Sequence, residues 1–322
     1  MQALVLNRTD APLDFQNTEK PAAGANEAVV KLHAAALNHR DLWITKGQYA
    51  GIKFPTILGS DGAGVYDGKE VVISPSLDWG DNPRYQQKSY DILGLPTDGT
   101  FAEYVKVPTG QIFPKPAHLS MTEAAALPLA GLTAYRALFT KCAPQKGEKV
   151  LISGVGGGVA LFAFQFAVAA GAEVYVTSGS QEKIERAVRM GAAGGLSYRQ
   201  DNLSKKIKEM TGGGVDVIID SAAGNGFAEL VKSCNPGGRI CFYGATRGNM
   251  NNLDPRVIFW KQLSIFGSTM GTNAEFKAML DFVEKHKITP VVDEVFALAN
   301  GNEALQKMEK GGQFGKLVLR IV

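Results

Sequence analysis

The stretch VLISGVGGGVALFAFQFAVAAGAEVYVTSGSQEK, from Val150 to Lys183, most narrows what this chain can fold into. It reads as a β-strand, a glycine loop, an apolar helix and a second strand. A strand-to-helix turn exposes backbone N–H groups that have no partner inside the helix, and such a turn suits a pyrophosphate. Gly157 and Gly158 let the chain turn with no Cβ in the way, and Ala160 is small enough for the helix to pack on the strand. Counting back from Ala160, Val155 takes the first glycine's place in the usual spacing, so the loop is a variant with Gly154 and Gly156 beside it. The loop residues Gly156, Gly157, Gly158 and Val159 are the expected phosphate contacts. A purely structural glycine turn is the alternative.

The second strand ends in Thr177-Ser178-Gly179-Ser180, where many dinucleotide sites place an acid that bonds the ribose hydroxyls of NAD. Ser178 stands there instead, and Lys183 follows one helical turn on. A carboxylate beside a 2′-phosphate is repelled by roughly 1 to 4 kcal/mol per charge pair at about 4 Å. Hydroxyls and an ammonium in its place favour NADPH over NADH. The alternative has Ser180 merely capping the next helix and Lys183 as solvated surface.

Around this unit strands and helices alternate. Candidate strands are Val150–Ser153, Val174–Thr177, Gly195–Tyr198, Val215–Asp220, Arg239–Gly244 and Ser264–Gly267, with helical patterns such as Gln181–Met190 and Phe227–Cys234 between them. Such alternation predicts a doubly wound parallel sheet covered by helices on both faces. The first third differs: Ala3–Leu6, Ala28–Leu32, Val71–Ile73 and Phe101–Val105 are short β-type runs cut by Gly, Pro and Asp. A polar, turn-rich segment of functional length lies between Ser76 and Thr100. Ser120 and Glu123 form a capping box, so a helix starts near Ser120. The tail GKLVLRIV is a strand outside the series and is placed to rejoin the first domain.

With 322 residues, two domains are accommodated comfortably. The net charge of +3 is spread along the chain, and no basic patch with interleaved aromatics appears, which excludes nucleic acid as the main partner. The start lacks a leader-peptide pattern, and Val159–Ala172 is too short to span a bilayer, so a cytoplasmic protein is expected. Cys142, Cys234 and Cys241 have neither CxxC spacing nor even number and read as buried thiols in a reducing compartment.

The whole chain resembles the medium-chain dehydrogenase/reductase superfamily, which includes zinc alcohol dehydrogenases and zinc-free quinone oxidoreductases. AALNHRDLW, ILGSDGAG, GTFAEYVKVP, AAALPLAGLTAYRAL and the glycine loop carry the likeness. It implies a GroES-like β-rich catalytic domain from residues 1–119 and 268–322 and a Rossmann domain from 120–267. It also implies a homodimer paired through the edge carrying QLSIFGS.

The departures from the zinc enzymes are specific. Asn38, Ser60 and Leu129 stand where the family has its three zinc ligands, and the segment Ser76–Thr100 has no cysteine for a structural zinc lobe. Catalytic zinc needs ligands drawn from His, Cys and carboxylate, so no zinc is expected. Arg40 and Trp43 replace the zinc enzymes' proton relay. Asp61 and His39 could suggest an improvised metal site, but the four histidines show no ligand spacing.

Without a Lewis acid, an acceptor that spreads negative charge itself is favoured, such as a quinone or an α,β-unsaturated carbonyl. By resemblance to quinone oxidoreductases, Asn38, Trp43 and Tyr49 lie near the nicotinamide. Asn38 would contact the ribose or orient the acceptor, and Tyr49 would donate a hydrogen bond or stack. Their structural alternative is a cap and a packing ring. Arg40 and Lys261 are lower-ranked candidate donors, with a structural or surface cation as the alternative for each. Tyr198 corresponds to a family tyrosine against the 2′-phosphate, with core packing as its alternative, and Thr133 to a position near the nicotinamide phosphate. Ser221, Gly244 and Ala245 are strand ends expected to contact the dinucleotide. The expected activity is a zinc-independent, NADPH-dependent hydride transfer to a quinone or α,β-unsaturated carbonyl, with a small quinone, enone or aldehyde as the expected partner. An alcohol or aldehyde dehydrogenase and an NADPH-binding protein with little turnover are the alternatives.

Overall fold

The computed structural model describes Met1–Val322 and divides into two compact units, Met1–Leu132 with Met270–Val322, and Thr133–Thr269. The expected boundary after residue 119 falls earlier than this division. Helix Met121–Ala126 packs on the strands of the first unit, and its apolar face, Ala124 to Ala126, is buried. The capping box at Ser120 is present, with Ser120 N and Oγ both donating to Glu123 Oε2.

In the first unit the long strand Glu27–Ala36 is central. It pairs with Asp61–Tyr66, Tyr104–Pro108 and the tail strand Lys316–Arg320, all antiparallel. The tail therefore rejoins the first domain. Val30, Leu32, Val71, Ile73, Val105 and Val107 fill one core, and their alternation along the strands matches a sheet with one buried face. A second core joins Leu4, Leu6, Leu37, Phe101, Leu305 and Leu319. The strand expected over Phe101–Val105 begins instead at Tyr104. Phe101 and Ala102 are buried in irregular backbone, where the Phe101 carbonyl accepts from Leu4 N at 2.9 Å.

The second unit holds a six-stranded parallel sheet. Its order runs Gly194–Ser197, Glu173–Ser178, Lys149–Ile152, Val215–Asp220, Cys234–Phe242, Ser264–Gly267. The order reverses between Lys149–Ile152 and Val215–Asp220, the topological switch point where doubly wound sheets bind ligands beyond their carboxyl ends. Helix Gly158–Ala169 is apolar all round, and Ala160 to Phe164, Phe166 and Ala167 are buried. No helix is long and apolar enough to cross a membrane. The three cysteines are free and buried, and burial pushes the Cys234 thiol up to about 12.

Candidate functional site

In the second unit the glycine loop takes the geometry its sequence requires. Gly156 has φ +127°, a conformation open to glycine, and Gly157 caps the helix with no side chain and open space around it. Val155 is buried, and its N–H donates to the Thr177 carbonyl at 2.8 Å, which ties the loop to the second strand. Gly158 and Val159 open the helix and are half-buried. Lys183 lies across this loop: a methyl added at Gly156 would sit 2.8 Å from its Cδ and 3.4 Å from its Nζ.

The second turn is built by three elements. Ser178 is buried, and its Oγ accepts from Ser180 N at 3.3 Å. Ser180 Oγ in turn accepts from Lys183 N, so the expected cap and the expected cation occur together. Tyr198 closes on Gly179, where a methyl would lie 2.5 Å from its Oη and 3.2 Å from Arg199 Nε. Arg247, from the loop after Cys234–Phe242, lies over the Tyr198 ring at 5.1 Å. Arg199 and Arg247 are cations that the sequence reading passed over. Arg199 directly follows a tyrosine already singled out, so its position was available; nothing local marks Arg247.

At the switch point Ser153 Oγ donates to Asp220 Oδ1, and Ala222 N and Ala223 N donate to Asp220 Oδ2 at 3.1 and 2.7 Å. Burial holds the Asp220 carboxyl above its ordinary value despite these donors. Asp220 thereby shapes the turn carrying Ser221. Gly244 approaches that turn closely, since a Cβ on it would lie 2.7 Å from the Ser221 carbonyl oxygen. Ala245 beyond it is exposed, and Thr133 is buried within Pro128–Tyr135. Lys261 donates to the Lys232 and Cys234 carbonyls at 2.9 and 2.7 Å, a structural use.

The first unit brings Asn38, Asp61 and Lys316 together. Lys316 Nζ, on a residue only 4% exposed, donates to the Leu37 carbonyl, Asn38 Oδ1 and Asp61 Oδ2 at 2.7, 2.7 and 2.9 Å. Asn38 Nδ2 donates to Asp61 Oδ2 at 2.9 Å, and Leu129 N donates to Asp61 Oδ1 at 2.7 Å. The Asn38 side chain is therefore engaged at both ends by protein, and Lys316 was missed because it reads as one residue of an apolar tail strand. Arg40 is buried too. Its Nη1 donates to Ser60 Oγ at 2.7 Å and to the Leu93 carbonyl at 2.9 Å, and its guanidinium lies 5.3 Å from the Tyr49 ring centre. Leu93 comes from the turn-rich segment between Ser76 and Thr100, which gives that segment a place in the site. Tyr49 is half-buried, and His39 meets Trp43 at 6.2 Å.

These groups do not suit a zinc ion. The three positions expected to carry zinc ligands hold an amide, a hydroxyl and an aliphatic side chain, Asp61 is already bonded by an ammonium, and Ser60 is bonded by a guanidinium. No cluster of three or more His, Cys, Asp or Glu is arranged to hold a metal.

Asp41 adds a pH dependence. It is fully buried, its Oδ2 accepts from Asn38 N at 2.8 Å, its Oδ1 has no partner, and burial pushes its carboxyl up to about 6 from an ordinary 3.8. The folded state therefore holds the proton more tightly than the unfolded chain, so stability falls as pH rises from about 4 to about 6 and stays lowered above. Two pKa units correspond to about 3 kcal/mol. Asp41→Asn is expected to melt higher than the wild type at pH 8 and equally at pH 4. Thermal melts across that range check it, and a pH-independent gap would remove burial of the charge as the cause.

Comparison with known proteins agrees with this architecture. Residues 24–117 match the alcohol dehydrogenase GroES-like domain, and residues 158–285 match the zinc-binding dehydrogenase family. The zinc-type alcohol dehydrogenase-like protein YogA of Leptosphaeria maculans is 34% identical, covering 96% of this chain and 95% of that one. The quinone oxidoreductase of Rattus norvegicus is 30% identical, covering 93% and 90%. A crystal structure described as a NAD-dependent alcohol dehydrogenase superposes with a TM-score of 0.95 at 37% identity, over 100% of both chains. The GroES-like unit, the doubly wound parallel sheet and these relatives together make the chain an oxidoreductase of the medium-chain dehydrogenase/reductase superfamily.

Proposed function

We propose that this oxidoreductase uses NADPH, without zinc, to reduce small quinones or α,β-unsaturated carbonyls. The observation that carries the reading is the replacement of the family's zinc ligands by Asn38, Ser60 and Leu129, set among the cations Lys316 and Arg40. Arg40, whose hydrogen bonds all go to uncharged groups, opposes a divalent cation there and favours an acceptor oxygen that gathers negative charge.

A bound reduced nicotinamide supplies a hydride, and the protein's task is to hold it and to manage charge. Gly156, Gly157, Gly158 and Val159 are the proposed pyrophosphate contacts, and Thr133, Ser221, Gly244 and Ala245 the proposed contacts further along the dinucleotide. Lys183, Tyr198 and the Ser178 turn are the proposed 2′-phosphate pocket, with Arg199 added by its approach to Gly179. Asn38 is fixed by Lys316 and Asp61 and is proposed to line the acceptor site, where Tyr49 offers a ring and a phenol.

We also propose a homodimer. The strand Ser264–Gly267 is a sheet edge, and Trp260, just before it, is 82% exposed. Light scattering on the purified protein tests this; a mass of one chain would refute it.

Following NADPH consumption with a panel of quinones, enones, aldehydes and alcohols, with and without a chelator, tests the activity. Turnover of quinones or enones that a chelator leaves unchanged is expected. The names of the alcohol dehydrogenase relatives favour a second reading, an alcohol or aldehyde dehydrogenase. Activity confined to alcohols and aldehydes and abolished by the chelator would establish it instead. Tight NADPH binding with no oxidation across the panel would mark a binding protein.

A further inference from the structure

The first unit buries two cations, and only one is hydrogen-bonded to a carboxylate. Lys316 faces the carboxylate of Asp61 and two further acceptors. Arg40, 6% exposed, faces a serine hydroxyl, a carbonyl and an aromatic ring, and none of these carries charge. Asp61, the obvious counter-ion, is taken by Lys316. Asp41, the adjacent residue, lies close enough to attract Arg40 electrostatically, but it directs Oδ2 to the Asn38 N–H and forms no salt bridge with the guanidinium.

The donors of Arg40 are also incompletely used. Nη1 makes both of its hydrogen bonds, Nε is sealed in the protein with no partner, and Nη2 bonds to nothing in the chain. Leaving a buried guanidinium short of acceptors and of a bonded counter-charge is unfavourable. The group is nevertheless held rigidly. Ser60 Oγ donates its proton to the Leu93 carbonyl at 2.7 Å, which turns a lone pair toward Arg40, and the Tyr49 ring lies against the guanidinium. A fixed, desolvated, planar donor with no anion hydrogen-bonded to it is arranged to receive one.

We propose that Arg40 is the electrophilic catalytic residue of this enzyme, receiving the oxygen of a quinone or enone as that oxygen takes up negative charge. This rests on the reductase reading above. In the step, the β-carbon of an enone gains a hydrogen with its electron pair from the reduced nicotinamide, which is thereby oxidised. A new C–H bond forms, the C=C pair shifts, and the carbonyl oxygen becomes an enolate oxygen bonded by the Arg40 N–H groups. The proton that completes the saturated ketone at the α-carbon comes from water, which leaves as hydroxide.

Arg40→Met and Arg40→Lys test the assignment, each first checked by thermal melting; Arg40→Lys keeps the charge should Arg40→Met fail to fold. Turnover of an enone with NADPH is expected to fall about 10²-fold in kcat with KM changed by less than about 3-fold, as for removal of one oxyanion donor. In Arg40→Ala, added guanidinium ion is expected to restore part of kcat saturably, which a merely structural role would not allow. Independently of turnover, 4-nitrophenol is titrated against the protein without cofactor. Bound dye is expected to ionise at lower pH on the wild type and to regain its free behaviour on Arg40→Met. A dye unshifted by the wild type overturns the site. A loss in Arg40→Met that lies wholly in KM, and only for acceptors carrying a carboxylate, overturns the electrophilic role and makes Arg40 a substrate anchor. An intact dye shift in a wild type that reduces neither quinones nor enones refutes the acceptor reading while the oxyanion site stands.

Discussion

Lys316→Met is expected to destabilise the first unit by about 3–5 kcal/mol, the usual cost of removing one partner from a buried ion pair. The ammonium satisfies three acceptors at once, and Asp61 behind it is 0% exposed. Without Lys316 the carboxylate keeps only the Asn38 amide and the Leu129 N–H, and its charge has no counterpart. A unit of this size loses about 2–4 °C of Tm per kcal/mol, so a fall on the order of 10 °C is expected. Combining Lys316→Met with Asp61→Asn removes both charges and is expected to recover at least half of the loss, because residues in contact do not behave additively. Calorimetry of the three variants reads this directly. A single variant within about 1 kcal/mol of the wild type, or a double variant as poor as the sum of the singles, would show that the pair does not hold this end of the sheet.

This cluster also shows where the sequence stops being informative. Local chemistry is legible: Ser120 and Glu123 announce a helix start, the glycine loop announces its own turn, and the alternation of strands and helices announces a parallel sheet. The first two signals are complete within a few residues, and the third needs only the order of elements along the chain. The acceptors of Lys316 are contributed by residues 37, 38 and 61, more than 250 positions away, and no periodicity in GKLVLRIV reveals them. A lone lysine within an apolar strand was the available hint. The absence of the zinc ligands was legible as residue types at Asn38, Ser60 and Leu129. That Arg40 fills in against Ser60, and that the turn-rich segment lends it the Leu93 carbonyl, depends on tertiary placement. In the second unit, Tyr198 and Lys183 stand at strand and helix ends, positions that spacing along the sequence marks. Arg247 reaches Tyr198 from a loop two strands beyond the switch point, and only the fold brings it there.

The second large effect concerns the cofactor. Wild type is expected to prefer NADPH over NADH by about 10²-fold in kcat/KM, and Lys183→Ala/Arg199→Ala is expected to abolish that preference. The 2′-phosphate carries between one and two negative charges. A half-buried ammonium beside Gly156 and an exposed guanidinium beside Gly179 flank the turn after the second strand, with the Tyr198 hydroxyl between them in sequence. Each cation within about 4 Å of the phosphate is worth roughly 1 to 4 kcal/mol before screening, and 1.4 kcal/mol is tenfold. Lys183, the less exposed, is expected to contribute the larger share, and added salt should weaken NADPH use more than NADH use. Ser178→Asp then adds the missing carboxylate. Ser178 is 4% exposed and its Oγ already holds the Ser180 N–H, an interaction that aspartate can keep while bringing a negative charge to the strand end. That variant is expected to invert the preference toward NADH. Steady-state kinetics with both cofactors decides the matter. The solved relative described as NAD-dependent marks the opposing outcome: a wild type that prefers NADH would mean that the cations at this turn serve the fold or the surface, and that the loss of the acid at Ser178 carries no specificity.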